Sequence, residues 1–465
     1  APQMLGHMVI KVSDTKKSEN FYQDLLGLKV TEYNELGLVF MRCTPLHHDL
    51  GLMPLQEGST VGLHHMAFDI GTIPDMARAE CFLKENNIKI DEISIDVVER
   101  ELEFVGLKDN RGDRGLTGGV VQQGIIRVVT STGIEGNSII GQHRGNSTDK
   151  IKEIIKTFKP ILINSKERDW ESIWKKLFEL AKNHNINKTL YHECLASIDV
   201  AIWDIIGKIN DSPIHKILGQ IRNSIAVYGT YQPRHENYKG YLEEAFELKS
   251  RRFKAYKIHP GLMSRKDTIK TIEETRKFLG TEFTLMLDPN NGYDYQKALE
   301  VGKALDLNNY HWFEDPVPWN NFESIKKLST RLKTPLAMSD QSGFLFKEFS
   351  HYLRERYPRI IRGTSKKFGI TGLKNLCELA KTSNTNCEIG TGGNIFMNMA
   401  NLHVMMTIKN CNFYEYWMPT WAHDFACIET IEFDENSEVP APKKPGIGLT
   451  LNEDWIKNHK VATLV

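Results

Sequence analysis

The 465 residues carry 59 Lys and Arg against 59 Asp and Glu, and 40% of them are hydrophobic. A chain two to three times a ~150-residue domain is expected to fold as more than one domain. Zero formal charge, without long runs of like sign, excludes a nucleic-acid footprint and points to a local site as the source of specificity. The seven cysteines (Cys43, Cys81, Cys194, Cys377, Cys387, Cys411, Cys427) are odd in number, dispersed and without a CxxC pair, which predicts free thiols, neither a disulfide framework nor a zinc cage. No basic segment precedes an apolar one at the N-terminus, and no run reaches the ~18 apolar residues of a membrane span, so the expectation is a soluble, cytoplasmic protein with no membrane partner.

In chain order, residues 1–93 alternate short strands with amphipathic helices. His7 to Val12 reads as a strand and Lys17 to Leu26 as a helix stopped by Gly27. Strands follow near Leu28 to Tyr33, Leu38 to Cys43 and Asp49 to Met53, then a strand from Leu63 to Ile70 and a helix from Pro74 to Asn86, giving βαβββ and βα. Residues 94–222 open with strand-like runs (Ile93 to Phe104, Gly119 to Ser131) and become helical. Ile198, Ala201, Ile202, Ile205, Ile206 and Ile209 follow helical spacing, which predicts a buried helix in an α+β unit. Residues 223–429 repeat strand and helix: AVYGTY, FKAYKIHP, FTLMLD, HWFEDP, TPLAMSD, RIIRGTS, NCEIGT and NFYEYW are the eight strand candidates of a (β/α)8 barrel. The tail, 430–465, lies beyond it.

Three acids end successive strands: Asp288, Glu314 and Asp340, each 26 residues from the next. One such acid reads equally well as a helix N-cap. Three in register converge on the mouth of a barrel, and an oxygen-only set suits a hard divalent ion that keeps positions open for water and substrate. Asn290 reads as a turn residue. The same spacing reaches Lys366, and Lys257 and His259 end the strand before Asp288, so basic groups flank the proposed metal. A Lys desolvated beside a cation, or a His, can act as a base near neutral pH. Removing a proton next to a carboxylate needs metal and cations in place for the enediolate, which this set provides.

IDVAIWDIIGKINDSPIHKILG, the KxH strand at Lys257 and His259, LMLDPNNG, WFEDPVP, PLAMSD, GITG and PGIGL resemble, in this order, the mandelate racemase and muconate lactonizing branch of the enolase superfamily, over about residues 94 to 450. The resemblance implies one Mg²⁺ per barrel held by Asp288, Glu314 and Asp340, an α+β capping domain at 94–222 to which the 430–465 tail returns, a small carboxylate substrate and a homo-oligomer. The racemase-type Asp and His dyad falls on Gly363 and Gly390 and is absent. KxH with ITG and a late Glu415 is closest to acid-sugar dehydratases, with Glu415 an acid for the leaving hydroxyl or a buried structural partner; Lys366 fits the cycloisomerase and epimerase subgroup. The expectation is therefore dehydration of a hydroxy or sugar acid, with racemisation or cycloisomerisation as the alternative. LGHMVIKVSD, FYQDLLGL, FMRC, HHDLGLM and GLHHMAFDI resemble the vicinal oxygen chelate family, in particular extradiol dioxygenases, as a partial module at 1–93. That resemblance implies Fe²⁺ or Mn²⁺ on His7 and His65 with His48 as acid/base; the opposing reading is a non-catalytic binding module.

Overall fold

The computed structural model describes residues 5–12, 14–26, 29–33, 39–42, 50–54, 62–68, 89–103, 106–107, 119–142, 146–164, 170–183, 188–338 and 346–465. The chain divides into two compact units, Ala1–Ile73 and Pro74–Val465. In the first, β1 (Leu5–Val12), the helix Thr15–Leu26, β2 (Lys29–Tyr33), β3 (Val39–Arg42), β4 (Leu50–Pro54) and β5 (Gly62–Phe68) form a sheet of order β2-β3-β4-β1-β5. This is the βαβββ pattern with one further strand; β1 runs parallel to β4 and antiparallel to β5. The helix expected from Pro74 to Asn86 lies outside the described residues.

The second unit begins with an antiparallel meander, β6 (Ile90–Leu102), β7 (Gly119–Thr130) and β8 (Glu135–Ile140). Against it lies the long helix Lys188–Ile209, buried from Tyr191 to Gly207. Gly136 in β8 lets the two meet: a Cβ there would stand 2.2 Å from the Ala201 carbonyl oxygen. Two fully buried aspartates on this helix tie the layers together. Asp199 accepts from the backbone N–H groups of Ile370 (2.6 Å) and Thr371 (3.0 Å), the Thr371 hydroxyl (2.6 Å) and Trp170 Nε1 (3.0 Å). Asp204 accepts from the N–H groups of Asn137 and Ile447 and from Lys208.

Eight parallel strands follow: β9 (Ser224–Tyr231), β10 (Ala255–Ile258), β11 (Thr284–Leu287), β12 (Trp312–Glu314), β13 (Leu336–Met338), β14 (Ile360–Gly363), β15 (Asn386–Ile389) and β16 (Phe413–Met418). They neighbour one another in sequence order from β9 to β15, with β16 closing onto β9. The intervening helices are capped as their sequences require: Ser264 accepts from Asp267 N at the start of Arg265–Leu279, and Gly280 ends it at φ 84°. The seam between β15 and β16 is bridged by the buried Glu388 carboxylate, which accepts from Asn412 N, Asn412 Nδ2 and Phe413 N. β17 (Glu438–Pro440) pairs antiparallel with β9, and β18 (Lys460–Leu464) returns to pair with β6. Among the described residues no helix is long and apolar enough to cross a membrane.

Candidate active site

Strand alternation divides the barrel interior into layers. Tyr228, Ala255, Met286, Trp312, Ala337 and Ile360 form a buried apolar plug, with Phe413 against it. Two residues further along alternate strands stand Lys257 of β10, Glu314 of β12, Arg362 of β14 and Glu415 of β16. A barrel layer of four residues usually holds branched apolar side chains. Here it holds two cations and two anions in alternation, at 2%, 0%, 1% and 7% exposure.

The four form a closed ring. Lys257 Nζ lies 3.0 Å from Glu314 Oε2 and 2.9 Å from Glu415 Oε1, while Arg362 meets the other oxygens, Nε at 3.0 Å from Glu314 Oε1 and Nη2 at 2.7 Å from Glu415 Oε2. Tyr228 and Trp312, from the plug, touch it from below: Arg362 Nη2 donates to the Tyr228 hydroxyl and Trp312 Nε1 to Glu314 Oε2. Each charge is out of water, so the arrangement stands only because every ion has two opposite neighbours. Burial pulls the Lys257 ammonium down, but Glu314 and Glu415 outweigh it and hold the group well above the usual lysine range. Glu415, accepting also from Thr391 N at 2.9 Å, has three donors on its carboxylate.

One step nearer the mouth, His259 Nε2 lies 3.1 Å from Asp288 Oδ2, which is itself 3.8 Å from Lys257 Nζ. The Thr230 hydroxyl donates to the Lys257 carbonyl at 3.0 Å, so its oxygen accepts from His259 Nδ1, also at 3.0 Å. Nδ1 then carries its proton toward Thr230, while Nε2 faces the Asp288 carboxylate. Asp288 is oriented by an Asx turn: its Oδ1 accepts from Asn290 N at 2.7 Å, and Asn290 adopts φ 52°. The turn reading of Asn290 agrees with this geometry.

The donors present fit a hard cation. The ring is neutral in itself, Asp288 adds a carboxylate above it, and the buried Glu314 Oε1, ion-paired with Arg362 Nε, accepts no hydrogen bond of good geometry. Asp340 lies outside the described residues, and among those described no cluster of three His, Cys, Asp or Glu is assembled that could hold a metal.

Lys366 is not at a strand end. β14 stops at Gly363, and Lys366 is the second residue of the helix Ser365–Thr382. There, half-buried, it lines a crevice with Gln142, Lys150, Glu193 and Asn394 between cap and barrel. Gly363 and Gly390 are joined backbone to backbone, Gly390 N donating to Gly363 O at 2.8 Å. Arg362 escaped the sequence reading; its signal is its place two residues after the inward Ile360. In the N-terminal unit, His7 stands opposite Ala67 and His65 opposite Val9 on paired strands, and His48 lies outside the described residues.

Comparison with known proteins agrees with this architecture. Residues 240–455 match the family described as enolase C-terminal domain-like, 117–219 the mandelate racemase / muconate lactonizing enzyme N-terminal domain, and 4–112 the glyoxalase/bleomycin resistance protein/dioxygenase superfamily. The chain is 26% identical to an arabinonate dehydratase of Saccharolobus solfataricus over 317 residues, 66% of this chain and 82% of the relative. It is 28% identical to a D-galactarolactone cycloisomerase of Agrobacterium fabrum over 188 residues, 40% of this chain and 49% of that one. Among solved structures, D-glucarate dehydratase from Agrobacterium tumefaciens complexed with magnesium superposes with a TM-score of 0.70 at 24% identity, covering 80% of this chain and 99% of that one.

Proposed function

Because the chain is an enzyme of the enolase superfamily, in its mandelate racemase and muconate lactonizing branch, behind an N-terminal module of the glyoxalase and dioxygenase superfamily, we propose that its barrel dehydrates a hydroxy or sugar acid by abstracting the proton α to the carboxylate. The observation that carries this reading is the division of labour among the basic groups. Lys257 is locked in the ring, whereas His259 has Nδ1 against Thr230 and Nε2 against Asp288, outside the ring.

In this reading His259 Nε2 accepts the α-proton. The C–H electron pair moves into the enediolate, whose charge develops beside the fixed Lys257 ammonium. Collapse of the enediolate expels the β-hydroxyl, which leaves as water with the proton that His259 carried, and the enol product tautomerises to a 2-keto-3-deoxy acid. Asp288, Glu314 and Asp340 would hold Mg²⁺, which when bound supplies Lewis-acid stabilisation to the enediolate oxygens. Racemisation or cycloisomerisation requires a second base on the opposite face. Lys366 is the candidate, since β14 is diametrically across the barrel from β10.

The test is proton-deuteron exchange and product formation by NMR in D₂O with Mg²⁺, over a panel of aldonic and aldaric acids. Wild type is expected to exchange the α-proton and release a 2-keto-3-deoxy acid, and Glu314→Gln to lose both by about 10³-fold. An α-exchange that persists in Glu314→Gln would overturn the assignment, and an epimer or lactone as sole product would transfer it to the isomerase reading.

A further inference from the structure

Arg362 has no place in the proton transfer, yet it is among the largest fully buried side chains of the protein. We propose that Arg362 is a positioning residue: by closing the ring from the sixth strand it fixes both carboxylates on which Lys257 rests, and so places the ammonium beneath His259 and Asp288. This rests on the reaction proposed above. The geometry argues for it in three ways.

Lys257 is held by one oxygen of each carboxylate, and Arg362 occupies the other oxygen of each. With Arg362 gone, Trp312 Nε1 and Thr391 N still hold Oε2 of Glu314 and of Glu415, but the link that ties the two carboxylates to each other opposite Lys257 is lost, and each can shift and carry Nζ with it. Second, Arg362 itself is anchored from outside the ring by the Tyr228 hydroxyl at 3.1 Å, in a plug that has no room to shift. Third, the planar fork of a guanidinium reaches two carboxylates on different strands, which an ammonium at this position could not do with the same directions.

The charge balance supplies a control that separates positioning from mere stability. Arg362→Met leaves two anions facing one cation in a dry layer and is expected to melt well below wild type. Arg362→Met combined with Glu415→Gln leaves one anion and one cation, restoring neutrality, and is expected to melt above Arg362→Met alone. The double variant should nevertheless remain slow, with kcat for acid-sugar dehydration down about a hundredfold and KM changed little, because the fold is restored but the Lys257 position is not.

Thermal melts and steady-state kinetics on wild type, both variants and Arg362→Lys decide it. Recovery of stability without recovery of kcat, with Arg362→Lys retaining part of kcat, supports the proposal. Recovery of both together reduces Arg362 to a structural role and overturns it; a double variant less stable than the single one overturns the ring itself. A wild type inert toward every acid in the panel overturns the proposed reaction and the positioning role with it, whereas an active wild type with an equally active double variant overturns only this inference.

Discussion

Among the described residues, acid should weaken this fold through one histidine more than any other. His403 is fully buried in the helix Ile395–Met405, with Nε2 donating to Ile447 O at 3.1 Å and Nδ1 accepting from His215 N at 3.1 Å. Both nitrogens are engaged, Nδ1 also lying 3.0 Å from His215 Nδ1, and no water reaches the ring. Burial, with His215 beside it, pushes the group down to about 3. In the unfolded chain the same imidazole titrates near ~6.5. The folded value lies below the unfolded one, so the unfolded state binds more protons between them, and stability, full above about 6.5, falls as pH falls toward about 3. At pH 5 the unfolded chain has gained about 1.5 pK units of protonation that the folded one has not, which at ~1.4 kcal/mol each costs about 2 kcal/mol. The perturbation is His403→Gln, which keeps an acceptor and a donor but cannot titrate. Urea unfolding at pH 7.5, 6 and 5 measures it: wild type should lose about 2 kcal/mol more than the variant over this interval. Parallel pH dependence in the two proteins would refute the reasoning.

Two further substitutions test how the layers and the base are held. Asp199→Asn turns an amide N–H2 toward the donors of either Ile370 and Thr371 or Thr371 and Trp170, and should cost about 2–4 kcal/mol of stability by urea unfolding; a loss below about 1 kcal/mol would show that these bonds are not made in solution. Thr230→Val removes the oxygen that fixes the His259 Nδ1 proton while keeping shape, and should lower kcat about tenfold or more with the melting temperature nearly unchanged; an unaltered kcat would mean that the tautomer is set by another group.

The eight barrel strands were legible because each is a short apolar run ending in a polar residue, and parallel strands buried on both faces read that way. β8 was not, since EGNSII carries Gly, Asn and Ser where a strand signature is expected, and its glycine is there to admit the helix Lys188–Ile209. The conjunction of the helix motif with GITG and PGIGL was visible in the sequence, but its cause was not. Asp199 binds the backbone of the GITG turn, and Asp204 binds the Ile447 N–H of PGIGL, so one helix carries the partners of two distant loops. Such bonds leave no periodic trace, because the acceptor side chain and its donors lie 171 and 243 residues apart.

The site was read through strand-end acids, and the 26-residue interval placed Asp288 and Glu314 at adjacent strand ends, where the structure has them. Carried one step further it reached Lys366, which overshoots β14; the residue which that strand delivers to the interior is Arg362. Counting from strand starts recovers it: Lys257, Glu314, Arg362 and Glu415 are each the third residue of their strand. A lone charge inside an apolar run would ordinarily mark an exposed edge. Four on alternate strands, with signs alternating, are mutually compensating, and only closure of the barrel brings them together. The charges most easily read as acid and base, Lys257 and Glu415, are thus ion-paired with each other inside that layer. In the proposed reaction proton transfer is therefore assigned to His259, which meets the Asp288 oxygen and, through Thr230, the Lys257 backbone.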